Sequence, residues 1–203
     1  MILITGAARS GTTLTASILQ ACGAELGAVN QLKESHAVRE GLVKPYLTGI
    51  GADPLGQYPL PDTSDVVMDP TWRGRVLTAL GDGVNTYKGA KMCLMWQLWD
   101  NAFPEAQWVI VRRERAGIVS SCMRTSFMRA FKRPEGWEQW VSFHEDRFEE
   151  MKQAFPDRVR EVWPAQFLAG DEAPMKELIE WCGLGYNSAA ATACVKPGLF
   201  RKG

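Results

Sequence analysis

Histidine is nearly absent from this chain. The two present in 203 residues, His36 and His144, are too few for a histidine-rich metal site, and no H-E-x-x-H occurs. No metal is therefore expected. Cysteine is also sparse: Cys22, Cys93, Cys122, Cys182 and Cys194 are odd in number and form no C-x-x-C pair, a pattern of inert thiols in a reducing compartment. No apolar run reaches the roughly 18 residues that span a bilayer. The best stretch, at the N-terminus, is broken by Arg9, Ser10 and several threonines, and Arg9 follows the apolar residues where a signal peptide needs its charge to precede them. A cytoplasmic protein without membrane contact is expected. An excess of one charge is lacking too: 23 Lys+Arg balance 23 Asp+Glu. That balance excludes a protein that coats a polyanion, so no nucleic-acid partner is expected.

What the chain does have is 46% hydrophobic residues, enough for one core, so residues 1–203 are read as a single domain. Met1 to Thr5 form a short apolar strand, and Leu14, Ile18 and Ala21 recur on one helical face that ends near Gly23. Helical patterns follow over about Glu34 to Ile50, Trp72 to Leu80, Leu94 to Phe103, Ala116 to Met123, Gly136 to Phe155 and Pro174 to Cys182. Strands are expected at Asp65 to Met68, Tyr87 to Met92, Gln107 to Val111 and Arg158 to Trp163. Apolar strands alternating with helices predict an α/β sandwich around a mostly parallel sheet, with ligands beyond the carboxyl ends of the strands. The turn-rich segment Gly51 to Asp62 is long enough for a surface loop on the substrate side.

Between the first strand and helix, Gly6-Ala7-Ala8-Arg9-Ser10-Gly11-Thr12-Thr13 has the G-x-x-x-x-G-K-[ST] spacing of a P-loop, except that Thr12 replaces the lysine. Backbone amides at the head of the helix can still cradle an anion. A nucleoside triphosphatase uses the missing lysine to hold the β- and γ-phosphates, so ATP or GTP hydrolysis is disfavoured. Positive charge comes instead from Arg9. A plain turn joining strand to helix is the simpler alternative; the clean strand before it and helix after it favour the anion loop.

Arg9-Ser10-Gly11-Thr12-Thr13 matches every position of [KR]-S-G-[TS]-[TS], and the chain resembles the P-loop sulfotransferases that use 3′-phosphoadenosine 5′-phosphosulfate (PAPS). That family carries a second motif, an arginine after a mid-chain strand and a serine eight residues later. Here it falls on Arg113 and Ser121, with Arg112 and Ser120 as an alternative register. Lys88-Gly89-Ala90-Lys91, Phe103-Pro104-Glu105-Ala106 and the stretch from Lys176 to Leu184 are similar to other family segments. The terminal Arg201-Lys202-Gly203 resembles the start of a third phosphate-binding motif. The chain departs from the family pattern at Leu14, often tryptophan, at Arg115, often proline, and in ending before the G-D-W-K continuation. The resemblance implies a P-loop NTPase-like three-layer sandwich and transfer of a sulfuryl group from PAPS to a hydroxyl or amine of a small-molecule or glycan acceptor. Its implied nucleotide-binding residues are Arg9, Ser10, Gly11, Thr12, Thr13, Arg113, Ser121, Arg201, Lys202 and Gly203.

Sulfuryl transfer needs charge neutralisation, which Arg9 and the loop amides offer, and a base for the acceptor proton. Two candidates lie in Lys33-Glu34-Ser35-His36. The intrinsic pKa of imidazole favours His36, whereas the family pattern favours Glu34. Lys91 is placed to reach a phosphate or sulfate, and Trp163 to stack on adenine, although solvation and core packing are the plainer roles. His144, among acidic neighbours, is read as a surface residue. Two other functions stay open. One is a small P-loop kinase with Asp65 to Asp69 as a degenerate magnesium strand; the other is a non-catalytic nucleotide-binding protein. Finally, the neutral total hides a pattern: 7 basic and 1 acidic residues from Arg112 to Arg133, then 5 basic and 12 acidic from Pro134 to Glu180. The cationic stretch begins at the second motif and is compatible with a pocket for one small polyanion.

Overall fold

The computed structural model describes residues 1–195. Four short strands, β1 (Ile2–Thr5), β2 (Thr86–Lys88), β3 (Gln107–Val111) and β4 (Val159–Val162), form one sheet in the order β2-β1-β3-β4. Every pairing is parallel, with Leu3 opposite Tyr87 and Trp108. The sheet expected to be mostly parallel is thus entirely so among the described residues.

Helices connect and cover the strands. From the end of β1 the chain enters α1 (Thr12–Ala21), then a bent rod built of α2 (His36–Val38), a π-helical turn over Arg39–Val43, and α3 (Lys44–Gly49). α4 (Trp72–Leu80) precedes β2; a 3-10 turn (Met92–Met95) and α5 (Trp96–Ala102) follow it. α6 (Arg115–Met123) and the long α7 (Pro134–Ala154) join β3 to β4, after which come α8 (Pro164–Leu168), α9 (Ala173–Trp181) and α10 (Ser188–Ala193). No helix among the described residues is long and apolar enough to cross a membrane.

All four residues of β1 are buried, as they must be in a sheet covered on both faces. Alternation along the strands divides the core. Leu3, Trp108 and Ile110 pack under Val38, Leu47, Trp72, Trp99 and Phe148, while Ile2, Ile4, Val109 and Val111 pack under Leu14, Ile18, Met175 and Ile179. Three layers result. On the first face Trp99 stacks on Tyr87 with centroids 5.0 Å apart and meets Trp72 edge-on at 5.7 Å, contacts worth about 1 kcal/mol each beyond their burial.

Several sequence expectations change. Asp65 to Met68 is not a strand: Asp62 and Asp65 cap each other reciprocally and wind Thr63–Asp65 into a 3-10 turn. The strand expected from Tyr87 to Met92 ends at Lys88, because Met92 bonds back to the Gly89 carbonyl and starts the next turn. α8 and α10, with five and six residues, are too short to show a period. His144 is not on the surface. It belongs to the buried stripe Trp137, Trp140, Val141, His144, Phe148 and Met151, is 2% exposed, and pairs Nδ1 with the Trp140 carbonyl at 2.8 Å. Its acidic neighbours had masked that helical spacing.

Burial holds the His144 imidazole at a pKa of about 4, against an ordinary 6.5. Between these values the unfolded chain binds the proton and the folded one does not, so stability falls as the pH drops below 6.5. Denaturant titrations should show a loss of about 2 kcal/mol from this residue between pH 6.5 and 5. His144→Gln should have a correspondingly flatter stability profile in that window; an unchanged profile would contradict the assignment.

Candidate active site

The loop after β1 closes on itself before α1 begins. Gly6, Arg9 and Gly11 all have positive φ, at 155°, 75° and 107°. A β-carbon on Gly6 would lie 2.5 Å from the Val111 carbonyl oxygen and 2.8 Å from Ser10 Oγ, so only glycine fits. Arg9, the cation of the loop, is held in a left-handed conformation that a side chain disfavours. Ser10 is 1% exposed; its amide donates to the Ala7 carbonyl, while its Oγ has no hydrogen-bond partner among the described residues. No side chain caps α1, and no acidic residue sits in its first turn. The positive end of that helix, the orphaned Ser10 hydroxyl and Arg9 therefore face the same demand, an anion with several acceptor oxygens.

Arg9 turns toward the second motif. Its Nε donates to Ser121 Oγ at 2.9 Å, and Arg113 Nη1 donates to the Arg9 carbonyl at 3.0 Å. Gly117 makes room for Arg113, since a β-carbon there would be 2.9 Å from Nε. The alternative register points elsewhere. Arg112 bonds Glu161 at 2.6 Å and lies over the rings of Phe148 and Trp163, while Ser120 Oγ accepts from Arg124. So the structure brings Arg9, Arg113 and Ser121 together and leaves Arg112 and Ser120 outside the group. Trp163 meets the Arg112 guanidinium.

On the other side of the loop, the Leu32 carbonyl accepts from both Thr13 Oγ1 at 3.3 Å and Lys88 Nζ at 3.2 Å. Lys88, at the end of β2 and almost wholly buried, also bonds Glu34 Oε1 at 2.7 Å; Arg39 Nη1 bonds Oε2 at 3.2 Å. Burial raises the Glu34 pKa, but the Lys88 ammonium and its hydrogen bond, with Lys91 and Arg39 nearby, outweigh it and hold the carboxyl below its usual range. Burial lowers Lys88, opposed by Glu34. His36 is solvent-exposed at the head of α2, where Ser35 provides the cap, and makes no side-chain hydrogen bond among the described residues. Of the two candidate bases, only Glu34 is tied to the loop.

The Gly51 to Asp62 segment packs over Lys91: a β-carbon on Gly56 would be 3.2 Å from Lys91 Cγ. Gln57 clasps it to the chain after α6, donating to the Phe127 carbonyl at 2.8 Å and accepting from the amides of Arg129 and Ala130 at 2.7 and 3.1 Å. Trp140 Nε1 adds a bond to the Gly56 carbonyl at 2.9 Å. In the kinase alternative, the magnesium strand is missing, and Asp69 is engaged by Thr71 and Arg75. Arg201, Lys202 and Gly203 lie outside the described residues.

The crystal structure of sulfotransferase STF1 from Mycobacterium tuberculosis H37Rv superposes on this chain with a TM-score of 0.53 and 15% sequence identity, covering 95% of this chain and 70% of that one. The fold is sulfotransferase-like. No protein-family model matches the chain, and no curated protein matches it in sequence.

Sequence reasoning placed Gly6 in the loop but missed Gly117, Arg39 and the role of Lys88. A lysine ending an otherwise apolar strand was the available signal for Lys88; an arginine five residues beyond Glu34 gave none for Arg39. Gly6→Ala should destabilise the protein by about 3 kcal/mol, through the clash with Val111 and the positive φ. Thermal or denaturant unfolding would show it, and a wild-type midpoint would refute the close approach.

Proposed function

We propose that this chain is a PAPS-dependent sulfotransferase acting on a hydroxyl or amine of a small-molecule or glycan acceptor. The observation that carries it is the convergence of Arg9, Ser121 and Arg113 on one side of a loop whose Ser10 hydroxyl is orphaned and whose helix head is uncapped. The sulfotransferase-like fold supports it. Thr12 in place of a lysine speaks for a phosphosulfate rather than a triphosphate.

These residues fit the nucleotide: Ser10, Gly11, Thr12 and Thr13 would hold the phosphosulfate through amides and hydroxyls, while Arg113 and Ser121 would hold the 3′-phosphate. Arg201, Lys202 and Gly203 are proposed as further contacts to that phosphate. Bound there, PAPS supplies an activated sulfuryl group. Arg9, which joins the loop to Ser121 and Arg113, would neutralise negative charge on the leaving nucleotide. Glu34, kept ionised by Lys88 and Arg39, presents a carboxylate to the acceptor and takes its proton as the nucleophile becomes acidic. Lys88 orients that carboxylate and, through the Leu32 carbonyl it shares with Thr13, fixes it relative to the loop.

Adenosine 3′,5′-bisphosphate should raise the melting temperature without magnesium, and Arg113→Ala should weaken its binding by at least about 10-fold, the loss of one charge-assisted contact. Stabilisation by ATP only in the presence of magnesium would overturn the proposal. Glu34→Gln should lower turnover by about 100-fold at unchanged nucleotide affinity, while His36→Ala should retain wild-type turnover. The reverse outcome would move the base to His36.

A further inference from the structure

Beside the Glu34–Lys88 pair the site has more positive charge than it uses. Both Glu34 oxygens are taken, by Lys88 and Arg39. Arg39 Nη2 reaches Glu40 at 2.8 Å, which Lys44 also engages at 2.7 Å. Lys91 completes the group and forms no salt bridge or side-chain hydrogen bond among the described residues, so four cations face two carboxylates. Arg39 Nε is likewise buried without a partner. Between them lies a cavity of about 10 Å³, lined on one hand by Glu34, Arg39, Tyr87 and Lys91 and on the other by Val43, Met92, Gly89 and Ala90. It has room for one oxygen-sized group. The Lys91 stem passes close to Gly56, and the residue lines this cavity.

The orphaned Arg39 Nε–H is buried and carries a desolvation cost, and the half-buried Lys91 ammonium beside it has no counter-ion among the described residues; one negatively charged oxygen would satisfy both. The surroundings agree. The clasped wall contributed by the chain after α6 carries Arg129, Lys132 and Arg133, all exposed and none in a salt bridge among the described residues. We propose that Lys91 and Arg39 recognise an oxyanion on the acceptor, so that the alcohol or amine to be sulfated carries its own carboxylate, phosphate or sulfate group. This rests on the sulfotransferase proposal and narrows its acceptor class: one oxygen of the anionic group enters the cavity while the nucleophile stays at its mouth, beside Glu34. Burial lowers the Lys91 pKa, opposed by Glu34; a bound anion would favour the charged ammonium further.

The test uses protein saturated with adenosine 3′,5′-bisphosphate, which fills the two phosphate sites; the sulfuryl position stays open, and Lys91→Ala distinguishes anion binding there from binding in the cavity. Inorganic phosphate, sulfate and acetate are titrated separately by calorimetry against sodium chloride at equal ionic strength. At least one should bind the wild type, and Lys91→Ala should weaken it by at least about 10-fold, while Lys91→Arg stays within about 3-fold of wild type. Retained bisphosphate binding shows that the variants are folded. Preference for acetate over the tetrahedral anions, or the reverse, identifies the anionic group. Absence of oxyanion binding in the bisphosphate-bound wild type, or equal binding in Lys91→Ala, would overturn the inference and leave sulfuryl transfer standing. Failure of the bisphosphate to bind the wild type would overturn both.

Discussion

The Val111 carbonyl oxygen lies only 2.5 Å from where residue 6 would place a β-carbon, and the candidate site is arranged around that close approach. It fixes the loop after β1 against the end of β3, the strand beside it. Parallel strands end at a common edge, and the next segment after β3 starts there, so Arg113 and α6 are delivered next to the loop. Two motifs more than a hundred residues apart thus meet through the register of one strand pair. Loss of the contact would release Arg9 from Ser121 as well as loosening the turn.

Lys88 and Glu34 perform the matching task on the other side of β1. Their pair is largely buried, and such pairs seldom exceed a well-packed apolar substitute in stability. Position is the better account of it. Loss of Lys88 would leave Glu34 its Arg39 partner, whereas loss of the Glu34 side chain would leave the buried Lys88 ammonium only the Leu32 carbonyl, the costlier change. Their bond therefore locks β2 to the Asn30–Glu34 turn, which Asn30 Oδ1 also organises by accepting from the amides of Leu32 and Glu34.

How much of this the sequence disclosed depended on range. Gln107–Val111 matched its expected bounds because four consecutive apolar residues between turn signals can hardly be anything else in an α/β chain. The phosphate loop was legible because its geometry is local: glycine and small residues at fixed spacing between a strand and a helix. The pairing of Arg113 with Ser121, rather than Arg112 with Ser120, depended on which side of the strand each arginine leaves, and a period of eight cannot choose. Likewise, the sequence set Glu34 only slightly ahead of His36 and could not show that Lys88 reaches the first and not the second, a contact across 54 residues. Asp65 to Met68 misled because β-branched residues were weighed above the flanking aspartates, whose mutual capping decides that turn.

Gln57 has a consequence for how such a protein can diversify. One amide side chain satisfies three backbone groups of a segment 70 to 73 residues away. Lengthening or shortening either loop would displace that amide and strand those groups together, so the two walls cannot drift independently. Change in these walls would accordingly come through exchange of side chains at fixed loop lengths, with exposed Leu55 and Phe127 open to substitution around the clasp.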